Sequence, residues 1–75
     1  MSYRLPRVTA ARMARVLTRL GFVVVRQSGS HRIYRNPEGK RVTLSFHQRD
    51  TLHPKVVVSI LRDADITADQ LRDML

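Results

Sequence analysis

The chain has 75 residues, 43% of them hydrophobic and 27% charged, with no Cys, no Trp and a formal net charge of +8. A length of this order predicts one domain over residues 1–75 with a modest core and a shallow binding site, and the lack of Cys excludes disulfides, thiol catalysis and thiolate zinc sites. The apolar runs Phe22–Val25 and Val56–Val58 fall far short of the roughly 18 residues that span a bilayer. Met1-Ser2-Tyr3-Arg4 opens no apolar signal segment, so the expectation is a soluble, cytoplasmic protein without a membrane partner.

The charge is polarised along the chain. Residues 1–49 carry eleven basic side chains against the single acid Glu38, whereas residues 50–75 carry three against five. Twelve of the fourteen cations are Arg, whose planar fork of donors pairs bidentately with phosphate. High-GC coding can inflate Arg over Lys, but it does not polarise a chain, so a polyanion is the expected partner.

In chain order, the first predicted element is a helix over about Thr9 to Leu20. Thr9 can cap it, Met13, Val16, Leu17 and Leu20 form its apolar face, and Gly21 sits where a residue of positive φ is wanted. Arg12, Arg15 and Arg19 form a basic stripe off that face, with no acid at i+4 to pair; it reads as a solvated face or as one that meets an anion. Phe22 to Arg26 is rich in β-branched residues and ends at the polar loop Gln27-Ser28-Gly29-Ser30. A second strand begins near His31 and runs to about Arg35, and Asn36-Pro37-Glu38-Gly39-Lys40 supplies turn chemistry. Arg41 to Phe46 then alternates Val42, Leu44 and Phe46 against Thr43, Ser45 and His47, completing an antiparallel meander with one covered face. After the connector from Gln48 to His53, Pro54 opens a helix to about Ala64. Asp65-Ile66 breaks that helix, and Thr67 with Gln70 forms a capping box that starts a short terminal helix. The expected class is α+β, in the order α-β-β-β-α with a three-stranded antiparallel sheet and a short C-terminal helix.

Ser28-Gly29-Ser30-His31-Arg32 is the segment richest in chemistry, with two hydroxyls, a Gly that frees backbone N–H groups, an imidazole and a guanidinium. On residue chemistry alone it reads as a phosphate and proton-transfer site or as an ordinary turn leading into a strand. Three His are the only imidazoles, and no clustered carboxylates suggest a metal site.

The ordered set Leu20-Gly21-Phe22, Gly29-Ser30-His31, Leu44-Ser45-Phe46-His47, Leu52-His53-Pro54, Ile60-Leu61-Arg62 and Ile66-Thr67 resembles the HicA family of toxins, the ribonuclease half of HicA–HicB toxin–antitoxin modules. Two positions depart from the family pattern: Ser45 stands where Pro usually precedes the second His, and Lys55 where Gly often follows Leu-x-Pro. The resemblance implies a double-stranded-RNA-binding-domain-like fold, cleavage of mRNA, and a HicB-like antitoxin that covers the site. It also implies a catalytic histidine in the Gly-Ser-His motif, here His31. RNA brings its own nucleophile, so one imidazole acting as general base is sufficient without metal or cofactor. Arg26, Arg32 and Arg35 are expected to surround His31 and to stabilise charge on the phosphorane, with Ser28, Gly29 and Ser30 contributing phosphate contacts and Arg12, Arg15 and Arg19 a further RNA-binding stripe. His47 is the candidate acid for the leaving oxygen, although alternation sets it opposite Phe46 and so leaves open whether it shares a face with His31. His53 is expected to be a solvated connector residue. The alternative reading is a non-catalytic RNA-binding module that uses the same basic face. A DNA-binding role ranks last, since the first helix lacks base-reading Asn or Gln.

Overall fold

The computed structural model describes residues 5–46 and 51–75. The elements are α1 (Ala10–Arg19), β1 (Val23–Ser28), β2 (His31–Arg35), β3 (Arg41–Ser45), α2 (Pro54–Ala64) and α3 (Ala68–Met74). The three strands form one antiparallel sheet in the order β1-β2-β3. This is the α+β order expected, and no described helix is long and apolar enough to cross a membrane.

Local chemistry fixes the element ends. Thr9 caps α1, its hydroxyl accepting from the Arg12 amide at 3.2 Å, and Gly21 at φ +95° lets the chain turn from α1 towards β1. The β1–β2 hairpin closes on Gly29-Ser30. Gly29 has φ +57° and Ser30 does not take positive φ, the combination of a II′ turn, which suits the strand twist. Gln27 and Ser28, expected in the loop, belong to β1 because a two-residue turn lets the ladder run to its edge. Between β2 and β3, Pro37 follows Asn36, whose side-chain oxygen accepts from the Lys40 amide at 2.8 Å. Gly39 there has φ +82°, and the hairpin pairs Arg35 with Arg41 across the turn.

His53 is exposed, as expected, but it also caps α2: its Nδ1 accepts from the Lys55 amide at 3.0 Å. Asp65 ends that helix in the left-handed region at φ 60°, which a short polar side chain tolerates. Thr67 and Gln70 form the expected reciprocal capping box on α3, at 3.0 and 2.7 Å.

The helices lie on one face of the sheet, and both α1 and α2 pack chiefly on β3. Met13, Val16 and Leu17 of α1 and Val57, Ile60 and Leu61 of α2 enclose Phe22, Tyr34, Val42 and Leu44, with Leu71 of α3 joining the same cluster. β1 lies at the sheet edge away from that cover. Its three consecutive valines are consequently exposed, Val23 at 61%, Val24 at 46% and Val25 at 53%.

Candidate functional site

Residues paired across antiparallel strands share a face, so the register sorts the side chains. The inner, helix-covered face carries Gln27, Arg32 and Leu44 in one row and Val24, Tyr34 and Val42 in the next. The outer face carries Ser28, His31 and Ser45 in one row, Arg26, Ile33 and Thr43 in the second, and Val23, Arg35 and Arg41 in the third. Among the described residues no helix packs on this outer face, and His31, Arg26, Arg35, Arg41 and Thr43 are all exposed.

His31 therefore stands in the middle strand, at the end where the hairpin turn lies, with a serine beside it on each neighbouring strand. Directly opposed residues have Cβ atoms about 5 Å apart, so both hydroxyls are within reach of groups bound at the imidazole. The amides of Gly29 and Ser30, as the central residues of the turn, lie outside the strand ladder. Ser30 is half-buried, and its carbonyl accepts from the Phe46 amide at 2.6 Å. That bond ties the hairpin turn to the end of β3.

A bulge determines which β1 residues join His31. The register shifts between Val24 and Arg26, so Val25 is an extra residue. Strict alternation from Val24 would turn Arg26 and Ser28 inward; the bulge turns both outward instead. Val25, Arg26, Ile33, Arg35 and Arg41 consequently line one open concavity of about 300 Å³.

Of the three arginines expected around His31, two are on its face and one is not. Arg32 projects to the inner face, where its guanidinium carbon sits 4.0 Å from the Phe46 ring centroid. Neighbours in a strand point to opposite sides, so a residue adjacent to His31 in sequence is directed away from it. Arg41 takes the vacated place in the cluster. It was legible in principle, since residues flanking a hairpin turn pair across it.

The α1 stripe belongs to the helical layer and does not reach His31. Arg12, Arg15 and Arg19 are exposed and line a shallow depression with Met74 and Leu75, where Arg19 donates to the Met74 carbonyl at 3.1 Å. Arg15 and Arg19 also border, with Arg32, an apolar groove of about 590 Å³ that includes Phe22, Val24 and Tyr34. The candidate acid His47 lies outside the described residues.

The outer face is electrostatically one-sided. Glu38, the single acid of the basic half, pairs with Lys40 at 3.7 Å, and Lys40 also meets Asp65 at 3.3 Å. Among the described residues, no ion pair or hydrogen bond occupies the side chain of Arg26, Arg35 or Arg41.

No curated protein matches the chain. Residues 10–66, more than half of the 75, match the family model described as "HicA toxin of bacterial toxin-antitoxin", and the matched span runs from the start of α1 past the end of α2 and takes in the whole sheet with His31. HicA toxins pair with HicB antitoxins, and by that match the chain belongs to the HicA family, the toxin side of toxin–antitoxin modules.

Proposed function

We propose that this toxin is an endoribonuclease that cleaves mRNA on the outer face of its sheet, with His31 as general base and no metal in the reaction. The observation that carries the reading is the placement of His31: an exposed imidazole between two serines, on a face whose other charged side chains are all arginine. Phosphate contacts from Arg26 and Arg35, and from the turn amides beside Ser28, Gly29 and Ser30, would seat the strand. The His31 imidazole takes the proton of the 2′-OH. O2′ then bonds to phosphorus, the P–O5′ bond breaks, and the departing O5′ takes a proton from solvent or from His47. The products are a 2′,3′-cyclic phosphate and a 5′-OH. The turn amides of Gly29 and Ser30 beside His31 would favour this path, because negative charge accumulates on the phosphoryl oxygens as O2′ attacks.

Residues 1–75 act as one cytoplasmic unit in this reading, and a HicB-like antitoxin restrains it by covering His31. A shallow site on a small domain offers no deep pocket to plug, so steric cover with acidic side chains over Arg26 and Arg35 is the economical means of inhibition. The α1 stripe of Arg12, Arg15 and Arg19 would meet RNA only where the strand passes around to the helical layer.

Expression of the wild type beside His31→Ala in growing cells tests the reading. Loss of a positioned base costs about 10²- to 10⁴-fold in rate, so the wild type should arrest growth and the variant should not. Arrest by both, at matched soluble levels, would support the non-catalytic RNA-binding alternative instead.

A further inference from the structure

Arg35 and Arg41 are directly opposed on neighbouring strands, and like charges in that position destabilise a sheet. Arg26 lines the same concavity, turned into it by the bulge at Val25. Three guanidiniums thus converge on one open hollow without a carboxylate among the described residues to offset them. Val25 and Ile33 complete the lining of the hollow, which is open to solvent.

We propose that Arg26, Arg35 and Arg41 form a second phosphate subsite, which holds a backbone phosphate of the RNA strand other than the one at His31. The inference rests on the endoribonuclease reading for its ligand. Its geometry follows from β2: at about 3.3 Å per residue, Arg35 lies some 13 Å along the strand from His31. A single phosphate cannot reach both. A strand laid along β2 would place its scissile phosphate beside the hairpin turn and a neighbouring one over Arg35 and Arg41. Arg is suited to this because its fork pairs with two phosphate oxygens at once, while its flat face can lie against a base. The aromatic residues of the sheet region, Phe22, Tyr34 and Phe46, are buried or half-buried in or against the core, so guanidinium planes rather than rings would be the stacking surfaces here.

The test uses an RNA oligonucleotide with every 2′-OH methylated, which cannot be cleaved, so that binding is read independently of catalysis. Methylphosphonate is placed at one linkage at a time. Arg35→Gln/Arg41→Gln should weaken binding by about tenfold or more, as expected for lost charged hydrogen bonds. One internal methylphosphonate should weaken wild-type binding by a similar factor and leave the double variant no weaker. The melting temperature of the double variant should equal or exceed that of the wild type, because a like-charged pair has been removed. Inorganic tripolyphosphate should raise the wild-type melting temperature more than that of the variant, but a methylphosphonate effect confined to one linkage marks the RNA phosphate as the ligand.

Wild-type RNA affinity in the double variant would overturn the proposal. So would a methylphosphonate loss that adds to that of the variant at every linkage, a melting temperature several degrees lower, or weakened binding of an acidic antitoxin with RNA binding unchanged. Failure of the endoribonuclease reading is separable: a chain that cleaves no RNA can still show the linkage-specific loss, and a chain that cleaves through His31 can lack it.

Discussion

The two faces of the sheet are built from alternate residues of the same strands, yet they do opposite work. On β3, Val42 and Leu44 are buried under α1 and α2, while the alternating Arg41 and Thr43 are exposed. On β2, Tyr34 is buried while His31 and Arg35 are exposed. The fully buried strand residues, Tyr34, Val42 and Leu44, all lie on one face, and Arg26, Arg35 and Arg41 sit on the other. The exposed imidazole and guanidiniums are thereby separated from the core at a spacing of one residue. A small domain can carry many unpaired cations when none of them has to be desolvated to complete its core.

Breaking that division produces the largest effects. Leu44→Ala should cost about 2–5 kcal/mol by the transfer and cavity terms of a buried leucine, read by chemical denaturation. Thr43→Ala next to it should stay within about 0.5 kcal/mol. Equal costs at the two positions would mean that the faces are not partitioned as described. Deleting Val25 is a harsher form of the same test. With the hairpin turn holding Arg26 to Ser28 in place, removal of the bulge residue reverses the facing of Val23 and Val24 and draws Phe22 out of the core. Val25→Ala retains the bulge and should be mild. A deletion variant as stable as Val25→Ala would show that the bulge does not set the register.

The helices and turns were readable because each carries its own punctuation: Thr9 and Gly21 around α1, Pro37 and Gly39 in the second hairpin, Thr67 and Gln70 at α3. The face of each strand residue was only partly readable. His31 with Ile33, and Val42 with Leu44, follow from alternation. Arg26 does not, because three successive valines offer no signal for the bulge that turns it outward. Arg32 was placed with His31 by adjacency in sequence, which in a strand is the wrong measure. The exposure of β1 was equally hidden, since a Val-rich run reads as buried until the helices are seen to lie over β3.

Two smaller effects sharpen the contrast among the arginines. Arg32→Ala should lower stability by about 0.5–1 kcal/mol through its contact with Phe46, with RNA affinity nearly unchanged, and Arg35→Ala should do the reverse. Exchange of these outcomes would put Arg32 back in the site. In salt titrations, each phosphate contact adds about −0.7 to the log–log slope for a single strand. Replacing Arg26, Arg35 and Arg41 together should flatten that slope more than replacing Arg12, Arg15 and Arg19. A greater loss from the α1 stripe would move the RNA footprint to the helical layer. The smallest change is expected from Ser45→Ala, a reduction of cleavage without loss of binding, since Ser28 still flanks His31 on the other strand.

The nature of the cut ends tests the central claim most directly. An RNA of defined sequence is incubated with the protein in EDTA, beside the same RNA carrying a single 2′-deoxy substitution at the cleaved position, and the products are analysed by mass spectrometry. The account predicts 2′,3′-cyclic phosphate and 5′-OH ends, survival of the deoxy strand at that position, and no products from His31→Ala. Products bearing 5′-phosphate and 3′-OH, cutting at the deoxy position, or cleavage by His31→Ala at the wild-type rate would contradict it.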